Sequence, residues 1–426
     1  MKIRTKYRTY SQVMALPRPA HKRPYRPSML LQTVIRVASI LDLWPVHFRY
    51  ETHGMERIGK KEPCLILMNH SSFLDLKIAS GIFYPRPYGI VSTYDTLMGK
   101  ELLMRLVGCF PTQKFVTDLT LIKDMEHLLK EKKVSVLMYP EAGYSFDGRT
   151  TLLPRKMGIL LKKLGVPVVT VITKGAFARD PLYNGLQLRK VRVTADVTCM
   201  ATAEEVKSKS VAELDALLDE AFSFDGFRWQ QEAGVRITEP FRADGLNRIL
   251  YKCPHCGAEG KAEGKGILWT CGACGKIYEL TETGFMKALD GETRFDHVPD
   301  WVDWQRQEVR RELTEGTYLL DTPVKIGMMV DHKALYMVGE GRLRHDAEGF
   351  RLTGCNGELD YTQGPVASHT INADFFWYEI GDVICIGTGD CLYYCFPKDA
   401  TPVAKTRLAA EELYKLVKAR KPVPTP

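Results

Sequence analysis

Between residues 64 and 200, apolar runs of strand length alternate with stretches of helix length, and no other feature of the chain limits its fold so tightly. The runs are CLILM (64–68), YGIV (88–91), VSVLMY (134–139), VPVVTVI (166–172) and RKVRVTADVT (189–198). Helix-like segments fall at about 72–82, 97–107, 118–132 and 155–164. Strands separated by helices do not pair as hairpins. The crossovers set them parallel, so this segment predicts an α/β domain with a largely parallel sheet. In such sheets chemistry gathers beyond the carboxyl ends of the strands. Asn69, His70 and Asp75 follow the first run there, and Pro140 and Glu141 follow the third.

A chain of 426 residues is long for one domain and natural for two or three. With 45% hydrophobic and 26% charged residues it can bury a sizeable core, which excludes a disordered or fibrous chain. The charge is unevenly placed. Residues 1–50 hold ten Lys or Arg and one acid, Asp42, so this segment is +9 and the other 376 residues sum to −1. Such asymmetry predicts an anionic partner. Residues 1–27 are basic, contain proline and have no period, which predicts an extended arm. The next stretch, SMLLQTVIRVASILDLWPV (28–46), carries Gln32, Arg36, Ser39 and Asp42 at helical spacing and apolar residues elsewhere. It is too interrupted to span a bilayer, which needs ~20 apolar residues. A basic arm before such a helix predicts a helix lying on a surface of anionic lipids, with packing on the domain behind it as the alternative. Nucleic acid is not the expected partner. No secretory signal precedes the eleven cysteines, so reduced thiols and a cytoplasmic protein, peripheral on the inner face of the membrane, are expected.

The cysteines hold one strong pattern. Cys253, Cys256, Cys271 and Cys274 are spaced C-x2-C-x14-C-x2-C. Each C-x2-C turn converges two thiolates, and two such knuckles complete a tetrahedral zinc site. Four thiolates leave no open position, so the Zn2+ expected here is structural. After this module the chain is rich in short strands from about 317 to 396, and a helix at 401–418 closes it. The predicted organisation is therefore an arm with an interfacial helix (1–46), an α/β domain (47–250), a zinc ribbon (251–283) and a β-rich domain (284–426), a small sandwich or barrel with a terminal helix.

Four strings then occur in order: Asn69-His70 with Asp75, GCFPTQK (108–114), YPEAGYSFDGR (139–149) and GVPVVTVIT (165–173). Their order and spacing resemble the phospholipid/glycerol acyltransferase family, typified by lysophosphatidic acid acyltransferases, over about residues 50–200. The resemblance implies that fold for the α/β domain. It implies that His70 takes the proton of an acceptor hydroxyl and that Asp75 orients it. Neutral imidazole suits that task near pH 7, and a carboxylate on its other nitrogen fixes the tautomer. It implies substrate-binding parts for Asn69, Lys114 and Glu141. Lys114 stands where the family carries an arginine for the acceptor phosphate. A second departure is Tyr144, where the family again carries an arginine. Arg149, five residues on, is the candidate to supply the missing charge. The implied reaction moves a fatty acyl group from acyl-CoA or acyl-carrier protein to a lysophospholipid, lysophosphatidate first among them. Another lysophospholipid or a lipid alcohol is the alternative acceptor. An inactive, membrane-associated binding protein that uses its zinc ribbon is the rival of a different class.

Overall fold

The computed structural model describes residues 3–114, 118–151, 153–154, 156–398 and 403–420. Seven strands form the sheet of the α/β domain: β1 (Arg49–His53), β2 (Leu65–Met68), β3 (Tyr88–Thr93), β4 (Cys109–Thr112), β5 (Ser135–Met138), β6 (Val168–Lys174) and β7 (Thr194–Ala201). Their order is β1-β7-β6-β2-β5-β3-β4, and only the β6–β7 pair is antiparallel. The central strand β2 is buried on both faces, as its unbroken apolar run requires. Leu65 and Leu67 join Met125, Leu128 and Leu161 in one core, while Ile66 and Met68 join Leu43 and Ile78 in another. That division is the two-residue period of a strand.

Two strands had no signal in the sequence reading, for separate reasons. All five residues of β1 are exposed, so no apolar pattern marks it. The strand β4 is an edge strand and holds Pro111, which cannot donate to a ladder.

Two helices cover the Ile66 face, α1 (Met29–Leu43) and α2 (Asp75–Phe83). The orientation of α1 is unusual. Its polar residues Gln32 and Ser39 are buried, while Leu30, Val34, Val37, Leu41 and the following Trp44 are 56–79% exposed. The Gln32 amide donates to the Tyr88 carbonyl at 3.0 Å, and the Ser39 hydroxyl donates to the Ile35 carbonyl at 2.7 Å. The spacing 30, 34, 37, 41, 44 is one apolar stripe facing outward.

The cysteine module is a four-stranded antiparallel sheet of β8 (Ala262–Lys265), β9 (Leu268–Cys271), β10 (Ile277–Leu280) and β11 (Met286–Ala288). The helix α3 (Val298–Glu315) follows. Then come β12 (Leu320–Met329), β13 (Leu335–Asp346), β14 (Gly349–Gly354), β15 (Leu359–Gln363), β16 (Asn372–Trp377), β17 (Gly381–Gly387) and β18 (Leu392–Pro397). They form one continuous antiparallel path, β15-β14-β13-β12-β18-β17-β16, closed off in sequence by α4 (Val403–Arg420).

Residues 3–27 are not a free arm. Thr5–Tyr7 adds an eighth strand to this last sheet, parallel to β13, and Val13 of a short helix is fully buried in its core. The segment then crosses to the α/β domain, where His21 meets Asp124 and Lys22 meets Glu101. Pro27 lies against Gly108, a left-handed glycine at which any Cβ would stand 2.8 Å from the proline ring. Nor are the ribbon and β-rich unit separate beads. Trp269, Trp301, Tyr336 and Phe375 share one core with Phe177, Tyr183 and Phe227 of the α/β domain.

Candidate active site

The strand β2 ends at Met68, and the loop that follows carries His70 ahead of α2. Asp75 opens that helix, and its Oδ2 lies 2.8 Å from His70 Nδ1. The same oxygen accepts the backbone N–H groups of Ser71 and Ser72 at 3.0 and 3.2 Å. These bonds hold the carboxylate as an acceptor, so Nδ1 carries the proton and Nε2 keeps its lone pair. The His70 side chain is 18% exposed and that of Asp75 is 1% exposed. A base within reach of solvent and a buried carboxylate that orients it are the parts proton transfer needs.

Aromatic rings flank the base. The Tyr139 and Tyr144 rings lie 4.2 and 3.9 Å from that of His70, within 27° of parallel, and Phe73 lies 5.4 Å from Tyr144. None of these rings was expected as part of the site, although Tyr144 stood out as a departure. Asp180 was missed entirely. It lies 2% exposed beyond the end of β6 and is held by Ser72 and the Phe73 N–H. Burial raises its carboxyl to about 6, against the pull of those bonds and of Arg179. No local pattern marks it, because it reaches the site only through the β2–β6 pairing.

The four residues expected to bind substrate each have partners within the fold. Asn69 accepts from the Thr173 N–H and hydroxyl at 2.8 and 3.0 Å and donates to the Thr173 carbonyl at 3.2 Å, which ties the end of β2 to that of β6. Glu141, 1% exposed, accepts the His70 N–H at 2.9 Å and the Thr151 N–H at 2.7 Å, one on each oxygen. Burial pushes its carboxyl up to about 8 although both N–H groups and Arg407 favour the charged form. Glu141 thus braces the turn that carries His70. Lys114 donates to Asn372 Oδ1 of β16 at 3.2 Å. Arg149 pairs with Asp147 and Asp303, each at 2.7 Å, and so joins the α/β domain to α3. Asn372 and Asp303 come from the C-terminal part of the chain, beyond the reach of a motif.

The cysteine knuckles converge as their spacing predicts. All four sulfurs lie within 4.8 Å of one another, and Cys253–Cys274 and Cys256–Cys271 are each 3.8 Å apart. Tetrahedral zinc with Zn–S bonds of ~2.3 Å requires sulfurs ~3.8 Å apart. The cluster fits a structural metal, which would be held by Cys253, Cys256, Cys271 and Cys274.

The fold is thus a mostly parallel sheet with a histidine–aspartate pair at the carboxyl end of its central strand, an arrangement able to move a proton. Residues 49–174, which span β1 to β6, match the family described as Acyltransferase. The chain is 30% identical over 178 residues to the human 1-acyl-sn-glycerol-3-phosphate acyltransferase beta, a match that covers 40% of this chain. The chain spans 61% of the length of that relative. Among solved structures, the 1-acyl-sn-glycerophosphate (LPA) acyltransferase PlsC from Thermotoga maritima aligns with a TM-score of 0.35 at 16% identity, covering 45% of this chain and 77% of that one.

Proposed function

We propose that this protein transfers a fatty acyl group from a thioester, acyl-CoA or acyl-carrier protein, to the hydroxyl of a glycerolipid. The observation that carries the reading is the His70–Asp75 pair at the end of β2, inside the segment that matches the acyltransferase family. The acceptor hydroxyl gives its proton to His70 Nε2 as its oxygen attacks the thioester carbonyl. The imidazolium is stabilised by Asp75. Collapse breaks the C–S bond, and the proton passes to the departing thiolate. The products are an ester and a free thiol.

The name of the human relative makes lysophosphatidate the first acceptor to test. A second reading, another lysophospholipid or a lipid alcohol, is favoured by Tyr144 and by the internal pairing of Lys114 and Arg149. Access to lipid acceptors is supported by the outward apolar stripe of α1, which suits a helix lying in the interface of a membrane with anionic lipids, at its inner face. No helix among the described residues is long and apolar enough to cross a membrane.

The test is acyl transfer by purified protein in lipid vesicles, with each donor in turn and a panel of lysolipids. Ester formation that is lost in His70→Ala supports the reading. Equal ester formation by the His70→Ala variant would sink it.

A further inference from the structure

The surroundings of His70 bear on which hydroxyl the site takes. Tyr139, Tyr144 and Phe73 enclose the imidazole in aromatic surface, and Phe73 is 48% exposed, so the enclosure opens outward along an apolar wall. Carboxyl groups hold the turn that carries His70 and Phe73. Asp75 holds Nδ1, Glu141 braces the His70 N–H, and Asp180 holds Ser72 and Phe73.

Among the described residues, the cations near the site already have partners. Lys114 meets Asn372, and the buried Asp374 lies within its field. Arg149 is bound by Asp147 and Asp303. Arg179 pairs with Asp180 at 3.2 Å. Arg407 of α4 donates to Glu411 and to the Tyr144 carbonyl. A phosphomonoester carries between one and two negative charges at neutral pH. Seated beside His70 it would face Asp75 and Asp180, and to gain a cation it would have to take Arg149 or Arg179 from an ion pair, or Lys114 from its bond to Asn372 in the field of Asp374. Like charges and unpaired buried charges of this kind exclude a ligand rather than select it. A lipid whose reacting hydroxyl has no charged neighbour meets neither penalty, and its glycerol carbons can lie on the Tyr144 and Phe73 rings.

Resting on the acyl-transfer reading above, we infer that the acceptor is an uncharged lipid alcohol, a glycerolipid without phosphate such as a monoacylglycerol, and that Tyr144 sets this preference. The reaction is balanced as before: the alcohol oxygen gains the acyl carbon, the C–S bond breaks, and the hydroxyl proton ends on the thiol.

The experiment compares lysophosphatidate with the 1-monoacylglycerol of the same chain, each in phosphatidylcholine–phosphatidylglycerol vesicles, with acyl-CoA and acyl-carrier protein as separate donors. The expected result is a kcat/KM at least about 10-fold higher for the monoacylglycerol, the scale on which one mismatched polar group is rejected. Tyr144→Arg should move that ratio toward lysophosphatidate by a similar factor. Equal use of the two acceptors, or preference for lysophosphatidate, by the unmodified protein would overturn the inference and leave acyl transfer standing. That measurement does not depend on whether Tyr144→Arg folds. An unmoved ratio in folded Tyr144→Arg would remove the role given to Tyr144. Acylation of neither lipid with either donor would remove the acyl-transfer reading itself, and the inference with it.

Discussion

A histidine after a strand is ordinarily a packed or surface residue, and what distinguishes His70 is the set of bonds around it. Asp75 fixes its ring, and Glu141 fixes its backbone. Loss of the base should lower turnover by about 10²–10⁴ in His70→Ala. Asp75→Asn should also lower turnover, because the imidazolium loses its partner charge. Lys114 should behave differently from both. Its ammonium bonds to Asn372 across the two domains, so Lys114→Ala should leave the acceptor KM largely unchanged and lower stability by about 1 kcal/mol, the scale of one such bond. Steady-state kinetics with both substrates varied, together with thermal melts, separate these outcomes. A raised acceptor KM in folded Lys114→Ala would return that residue to the substrate site.

Among the elements, α1 departs furthest from the ordinary rule for amphipathic helices. Its polar side chains find carbonyl partners within the protein, and its apolar stripe is left outside. Replacing Leu30, Val37 and Leu41 together by serine removes side chains 74%, 60% and 79% exposed. The fold should persist, and sedimentation with anionic vesicles should fall sharply. Unaltered sedimentation would count against α1 as the membrane contact. A different element sets the response to acid. His345 of β13 is 1% exposed, stacks on Phe350 with ring centroids 3.8 Å apart, and has its Nδ1 3.0 Å from the Tyr318 hydroxyl. Burial lowers its pKa from 6.5 to about 3. The unfolded chain therefore binds a proton that the folded chain refuses. The stabilisation is present above pH 6.5 and is lost as pH falls toward 3, at up to about 1.4 kcal/mol per pH unit. Thermal melts at stepped pH should show this slope, and His345→Gln should flatten it.

At the scale of the whole molecule, the four predicted units are bound into one body. The N-terminal segment straps the last sheet to the α/β domain through Thr5–Tyr7, Val13, Lys22 and Pro27. The ribbon joins the same body through Trp269, whose ring packs 4.9 Å from Trp301 of α3. A structural metal in the cysteine cluster therefore bears on more than the ribbon. One zinc per chain is expected in reduced protein. Cys271→Ser should lower zinc content and raise hydrogen exchange in β9, β10 and α3, while β2 and β6, which pack in separate cores, stay protected. Full zinc occupancy in that variant, or unchanged exchange in α3, would contradict the expectation.

The alternation between 64 and 200 was enough to place the parallel sheet and the helices on it, because strand and helix periods are local properties of a chain. The positions of His70 and Asp75 beyond β2 follow from the same pattern, and so does the convergence of the four cysteines, since each knuckle closes within a few residues. The edge strands β1 and β4 were beyond such reasoning, one being wholly exposed and the other containing proline. The direction in which α1 faces was also beyond it. A helical period marks two faces but does not say which one meets the protein. The tertiary structure alone decided which partners Asn69, Lys114, Glu141 and Arg149 meet. Their partners lie 2 to 258 positions away, and side chains with open hydrogen-bonding capacity take whichever partner the folded chain brings near.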